Sequence, residues 1–397
     1  MAQKLRTTLD ATLVLIEQFT NALSSPAQKE QPPRNSGTET NPSPLPLLLA
    51  AAQTLKSQTT KLSLLSLNAP FTPSALLTIL SAINESILPS LVTGALLCDP
   101  EKYTFAFHKE AKVLVKEALT ELTTLINDVR GIASEEGKGV DEGVKGVVMT
   151  STGRVWKACD ELVTIATDGV VGLVLRKAEE YMKLVADGIR ELEEWDPEED
   201  GDDDPFGEDF DDDGVQDHKA RDNKNAESDD NDDDEKGEED EETLAKLQDE
   251  KKYLLRLLNP INRIYKSISS PAGLKKLNTT TADDNNSNNN RDLFLSTYAS
   301  HFDALISKFG EIPDLVDEAA GSLYEHDIDN AVTQTDLLGK LAMGTVQSIR
   351  ELWVSSMSEQ QQQQQHQEGE GEDKFLKWAD TWLKVVGEMV KSRSGSS

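Results

Sequence analysis

The 397-residue chain is poor in the residues that build chemical sites. It has two cysteines, Cys98 and Cys159, and five histidines, at 108, 218, 301, 326 and 366. No CxxC, no HExxH and no second ligand at helical spacing accompanies them. The usual zinc arrangements are thereby removed, and neither a metal nor a cofactor is expected. GxxxxGK[ST], GxGxxG and GxSxG are equally missing, so phosphate-cradling loops and nucleophile elbows lose their signatures. No window of 18 apolar residues is found, and no membrane span is expected. Lys4 and Arg6 precede only a short apolar patch, Leu13–Ile16, interrupted by Glu17, which is no secretory signal. Without one, the two thiols on apolar helical faces read as buried and reduced, in a cytoplasmic or nuclear protein. Lys251-Lys252 and Lys275-Lys276 are short basic clusters without interleaved aromatics, so direct nucleic-acid binding is not expected. The expectation is a protein that is not an enzyme.

What the chain does have is acid, concentrated in one place. Residues 191–242 carry 29 Asp and Glu against 4 Lys and Arg, which is −25 of the net −32; the other residues carry −7. Residues 196–240 hold almost no apolar side chain besides Phe206, Phe210 and Val215. Such a segment cannot bury enough surface to offset its ordering entropy, and it reads as a disordered acidic linker. Within it, Asp209, Asp211, Asp213 and Gly214 imitate the first half of a calcium loop. Gln216 and Ala220 stand where an apolar residue and a bidentate Glu belong, so only weak divalent binding is expected. The tract reads as a solvated spacer or, alternatively, as a nucleic-acid mimic that shields a basic partner.

On either side the apolar period is helical throughout, and the expected fold is all-α, with two antiparallel helical-bundle regions joined by the linker. Residues 1–195 form the first, with a Pro- and Ser-rich loop at 25–44; residues 241–392 form the second, with loops at 278–290 and 358–372. Helices are expected at 4–24, 45–67, 74–98 with a kink at Pro89, and 101–132, followed by a glycine-rich loop at 134–146. Beyond the linker, a helix starting at 241 runs through Pro260, and others follow at 291–309, 312–325, 328–357 and 373–391.

The chain is organised around residues 150–195. Positions 155, 159, 162, 166, 170, 174, 178, 181, 185, 189 and 192 fall on one helical face, Ser151 or Thr152 is placed to cap its start, and Thr167-Asp168-Gly169 breaks it. Trp156 stands beside that face and reads as core, with an interface anchor as the alternative. The last helix carries Phe375, Trp378, Trp382, Val385 and Met389 on one stripe, suited to docking on its own chain or in a partner's groove. Trp156, Trp378 and Trp382 are therefore the candidate partner-binding residues.

The segment Thr152-Gly153-Arg154-Val155-Trp156-Lys157-Ala158-Cys159-Asp160-Glu161-Leu162 has the form T-G-x-V-W-x-A-C. With N-terminal helices before it, acid from Glu191 and helices after that, it resembles the cyclin-D-binding protein family (GCIP, also called Maid or HHM). The Asn-rich and Gln-rich loops and the long acidic insert look like elaborations of a lower-eukaryote, fungal member. The resemblance implies an all-helical, non-enzymatic interaction protein of cytoplasm and nucleus. Its implied partners are cyclins or helix-loop-helix transcription factors, and its implied role is regulation of the cell cycle and transcription. Two other classes fit the residues: a vinculin- or talin-like structural adaptor, and a histone chaperone acting through its acidic tract.

Overall fold

The structure is a computed structural model that describes residues 1–25, 43–68, 70–134, 140–198, 233–270, 274, 287–363 and 374–394. Every regular element among them is helical, and the chain is all-α. The helices are α1 (Ala2–Ser24), α2 (Pro44–Leu67), α3 (Pro73–Ala82), α4 (Leu88–Leu97), α5 (Pro100–Tyr103), α6 (Phe105–Ser134), α7 (Glu142–Glu194), α8 (Asp233–Ser269), α9 (Ser287–Tyr324), α10 (Ile328–Gln363) and α11 (Lys374–Ser394). A π-helical turn, Ile83–Ile87, joins α3 to α4. The expectations for residues 26–42, 199–232, 278–286 and 364–373, including the calcium-loop imitation, His218 and His366, lie outside the described residues.

Four stretches expected to be non-helical are shorter than their composition suggests. Helix α8 begins at Asp233, within the stretch assigned to the linker. Glu and Lys are good helix formers, and acidic side chains suit the positive end of a helix, so this end of the tract is helical. Helix α9 begins at Ser287 inside the Asn-rich run, and α10 continues through the glutamines to Gln363. The glycine-rich stretch also yields: α7 starts at Glu142, where Asp141 Oδ1 accepts the Val144 N–H at 2.8 Å. Asp141 is therefore the cap, in place of Ser151 or Thr152, which are buried inside the helix.

Packing divides the chain into two compact units, and the division does not follow the acidic stretch. Unit 1 comprises Met1–Arg176 with Leu274–Ile306; unit 2 comprises Lys177–Gly273 with Ser307–Ser397. The limits expected at 195 and 241 are replaced by crossings inside α7 and α9. A long helix runs through such a crossing with its apolar period unbroken, so composition does not mark it.

In unit 1, α1 and α6 run antiparallel. Arg6 donates to Ser134 O at 2.8 Å, and Arg130 pairs with Asp10 at 3.0 Å. Helix α1 buries Leu5, Leu9, Thr12, Ile16 and Leu23. The Thr12 hydroxyl donates to Thr8 O and accepts from Asn84 Nδ2 at 2.9 Å. Asn84 lies in the π turn. Pro89 has no N–H and its ring crowds the carbonyl one turn earlier, and the wider π turn just before it provides the room. The α3–α4 stretch, Pro73–Leu97, is long and apolar enough to cross a membrane, contrary to the sequence reading. Its row of Leu76, Leu80, Ile83, Ile87, Leu91 and Ala95 is buried within unit 1.

The expected helix 101–132 is broken at Thr104, which adopts φ 77°. That costly backbone geometry assembles a complete cap for α6. Thr104 Oγ1 accepts from Phe107 N at 3.1 Å, while the Asp303 carboxylate accepts from Phe105 N at 2.7 Å and Ala106 N at 2.9 Å.

In unit 2, α11 packs against α8 and α10 through Phe375, Ala379, Trp382 and Val386, all buried. The α10 residue Trp353 is fully buried, its ring 5.0 Å from that of Phe375. The end of α11 is tied to both neighbours by Arg393. Its guanidinium binds Glu250 at 2.7 Å and Asp336 at 3.4 Å and lies over the Tyr253 ring at 4.3 Å. A gap between two helices was expected at residues 310–311, yet α9 continues through it and through Pro313. The residue's missing N–H leaves the Phe309 carbonyl without its helical donor, and the buried Tyr265 hydroxyl donates to it at 3.0 Å. Burial, and secondarily Tyr181, push the Tyr265 hydroxyl well above its usual range, so it stays a donor.

Candidate partner-binding surface

The apolar row of α7 is buried as its spacing predicts, except that Tyr181 and Ile189 are only half-buried. Gly169 interrupts the helix at φ 65°, ψ −157°, a conformation that L side chains rarely adopt. The expected break is there. Cys159 on the same row and Cys98 at the end of α4 are both buried, and burial raises both thiols to about 12. They remain protonated and inert as nucleophiles at neutral pH.

The other side of α7 is where the unexpected residues lie. Helices α2 and α7 run antiparallel, stitched by three polar pairs. Lys56 Nζ binds Asp160 at 2.6 Å, Trp156 Nε1 donates to Thr60 Oγ1 at 3.1 Å, and the Ser63 and Thr152 hydroxyls meet at 2.5 Å. Trp156 thus sits on the outer edge of the seam, 38% exposed, which corrects its reading as core. One turn along α2, Leu64 is 55% exposed; two turns back along α7, Met149 is 66% exposed. Val144 and Val147 are exposed on the same part of α7. Large apolar side chains scattered singly on a surface need no explanation, but here several fall on a few adjacent turns.

The ridge between these side chains is low. Gly146 and Gly153 are exposed in the helix interior, and a Cβ added to either would meet nothing within 4 Å. Nothing inside the fold asks for glycine at these places. Basic residues surround the ridge: Lys61 is exposed, Lys145 pairs with Glu142, Lys157 with Glu161, and Arg154 with Glu121. The structure therefore does not bring the three predicted tryptophans together. Trp156 lies on this ridge in unit 1. Trp382 is 5% exposed in unit 2 and donates to Pro260 O at 2.8 Å, and Trp378 is half-buried with its ring 5.5 Å from that of Phe375. Met149, Leu64, Gly146 and Gly153 were missed because exposure of an apolar or glycine position depends on the neighbouring helix.

Chemistry-bearing groups are not gathered elsewhere among the described residues. No three of His, Cys, Asp and Glu stand where they could hold a metal ion. An open concavity of about 470 Å³ in unit 2 is lined by Glu193, Trp195, Gln248, Lys251, Leu255 and Arg256, among others. Its rim mixes acid and base without a nucleophile. His108 is used structurally, its Nδ1–H donating to Cys98 O at 2.7 Å.

Comparison with known proteins places the ridge within a recognisable segment. An uncharacterized protein of the fission yeast Schizosaccharomyces pombe is 26% identical over 180 residues, which is 44% of this chain. The match spans about half, 51%, of that relative's length. Residues 47–198 match the family model described as Grap2 and cyclin-D-interacting, N-terminal, and this range contains most of α2, the whole of α7 and the ridge between them. Residues 47–198 are thus similar to the N-terminal region of the Grap2 and cyclin-D-interacting family.

Proposed function

We propose that this protein is a non-enzymatic regulatory adaptor that binds a cyclin of the D type, or a helix-loop-helix transcription factor, through the exposed ridge of α7 and the edge of α2. It would act in the cytoplasm and nucleus by occupying a helical partner and so withholding it from its productive complex. The observation that carries the reading is the exposure of Trp156, with Met149 and Leu64, inside the family-matched segment. Tryptophan on a surface offers a large, rigid contact area, and such residues dominate the energetics of many interfaces. The family's name supplies the partner class, and the sequence's lack of catalytic motifs is in keeping with an adaptor.

The test is direct binding of purified D-type cyclin to the full chain, compared with Trp156→Lys, by titration calorimetry. Affinity weakened by at least about tenfold in the variant, with unchanged thermal unfolding, supports the reading. Equal affinity of the two proteins would move the site off this ridge. No binding of D-type cyclins or helix-loop-helix factors by the full chain would sink the adaptor reading.

A further inference from the structure

We propose that the ridge of α7 also docks on the same ridge of a second copy of this chain, forming an antiparallel, two-fold pair centred on Met149 and Thr150. The inference rests on reading this face as protein-binding. It goes further by naming an occupant.

The glycines come first. Gly146 and Gly153 lie two turns apart on the exposed side of α7, and neither is required by a neighbour in the fold. Interior glycine weakens a helix, so two of them on one exposed line need a reason. Removing side chains lets a second helix approach closely, since the distance between packed helices is set by the side chains at the contact.

The order of residues along the ridge is self-complementary. When Gly146 is set opposite Gly153 of the second copy, the two-fold axis makes the reverse pairing as well. Glu142 then faces Lys157, with side chains 90% and 74% exposed and of opposite charge. Met149 meets its own copy beside the axis, on the flank of the helix that also carries Trp156. Lys145 falls opposite Arg154, the one like-charge pairing. They lie on opposite flanks of the helix, and each already pairs in its own chain, with Glu142 at 2.8 Å and Glu121 at 3.0 Å. The chain's large net charge does not oppose this contact locally, because −25 of the −32 lies in residues 191–242.

Sedimentation equilibrium of the full chain, from about 1 to 100 µM at physiological salt, tests the pairing by mass action. The expected result is a monomer–dimer equilibrium. Gly153→Leu should abolish the dimer while unfolding at the same or a higher temperature, because leucine is the better helix former. Glu142→Lys and Lys157→Glu should each weaken the dimer by about fivefold or more, and together restore it. A chain that is monomeric throughout overturns the pairing, even if it binds a D-type cyclin through Trp156. A dimer indifferent to Gly153→Leu also overturns it. A dimer that follows the expected pattern supports the pairing, whether or not any cyclin binds.

Discussion

Tyr265 shows how one hydroxyl decides whether a helix can contain a proline. Pro313 leaves the Phe309 carbonyl without a donor, and Tyr265 supplies one at 3.0 Å from a fully buried position. A buried acceptor left unpaired costs about 1–3 kcal/mol. Tyr265→Phe should therefore lower stability by about that amount in urea unfolding. In a Pro313→Ala background the helical N–H returns, and the same substitution should cost much less. Equal losses in the two backgrounds would show that Tyr265 contributes through packing alone. Trp156 makes a similar point at the surface. Its indole N–H is satisfied by Thr60, so the ring is held with one side toward solvent instead of being folded into the core. Its neighbours in sequence suggested an apolar row, and the seam with α2 decided where it points.

At the scale of elements, the start of α6 is made by residues far apart in the chain. Asp303 of α9 accepts both first N–H groups, and Thr104 completes the turn at a positive φ. A carboxylate at a helix N-terminus gains from both the hydrogen bonds and the dipole. Asp303→Ala should cost about 1 kcal/mol, measured by chemical denaturation, and Asp303→Asn should cost less. Equal stability of Asp303→Ala and the unaltered chain would mean that water caps α6 as well as the carboxylate does. At the other end of the chain, α11 relies on a half-buried Arg393 whose partners belong to α8 and α10. Its apolar stripe was legible from periodicity. The choice to dock within its own chain was not, because a stripe carries no record of which groove it fills.

For the molecule as a whole, the helical units and the acidic segment make separable contributions. Residues 199–232 contain 16 Asp and Glu against 3 Lys and Arg and very little apolar surface, so they add little to any core. Replacing them with a short Gly/Ser linker should change stability by less than about 0.5 kcal/mol. If the α7 ridge carries function, affinity for purified D-type cyclin should also persist. Loss of cyclin binding, or binding of core histones that disappears with the segment and fades with salt, would make the acidic tract the active element.

The all-helical architecture, the buried row of α7, the break at Gly169 and the burial of both cysteines were determined by the sequence itself. Each depends on local period, on backbone freedom or on the apolar character of neighbours one or two turns away. The tertiary structure decided where the compact units divide, that Asp303 caps α6, that α9 runs unbroken past residues 310 and 311, and that Trp156 and Met149 face outward. These rest on contacts between residues distant in the chain. A one-dimensional pattern records that a side chain is apolar, and only the arrangement of helices determines whether another helix is there to cover it.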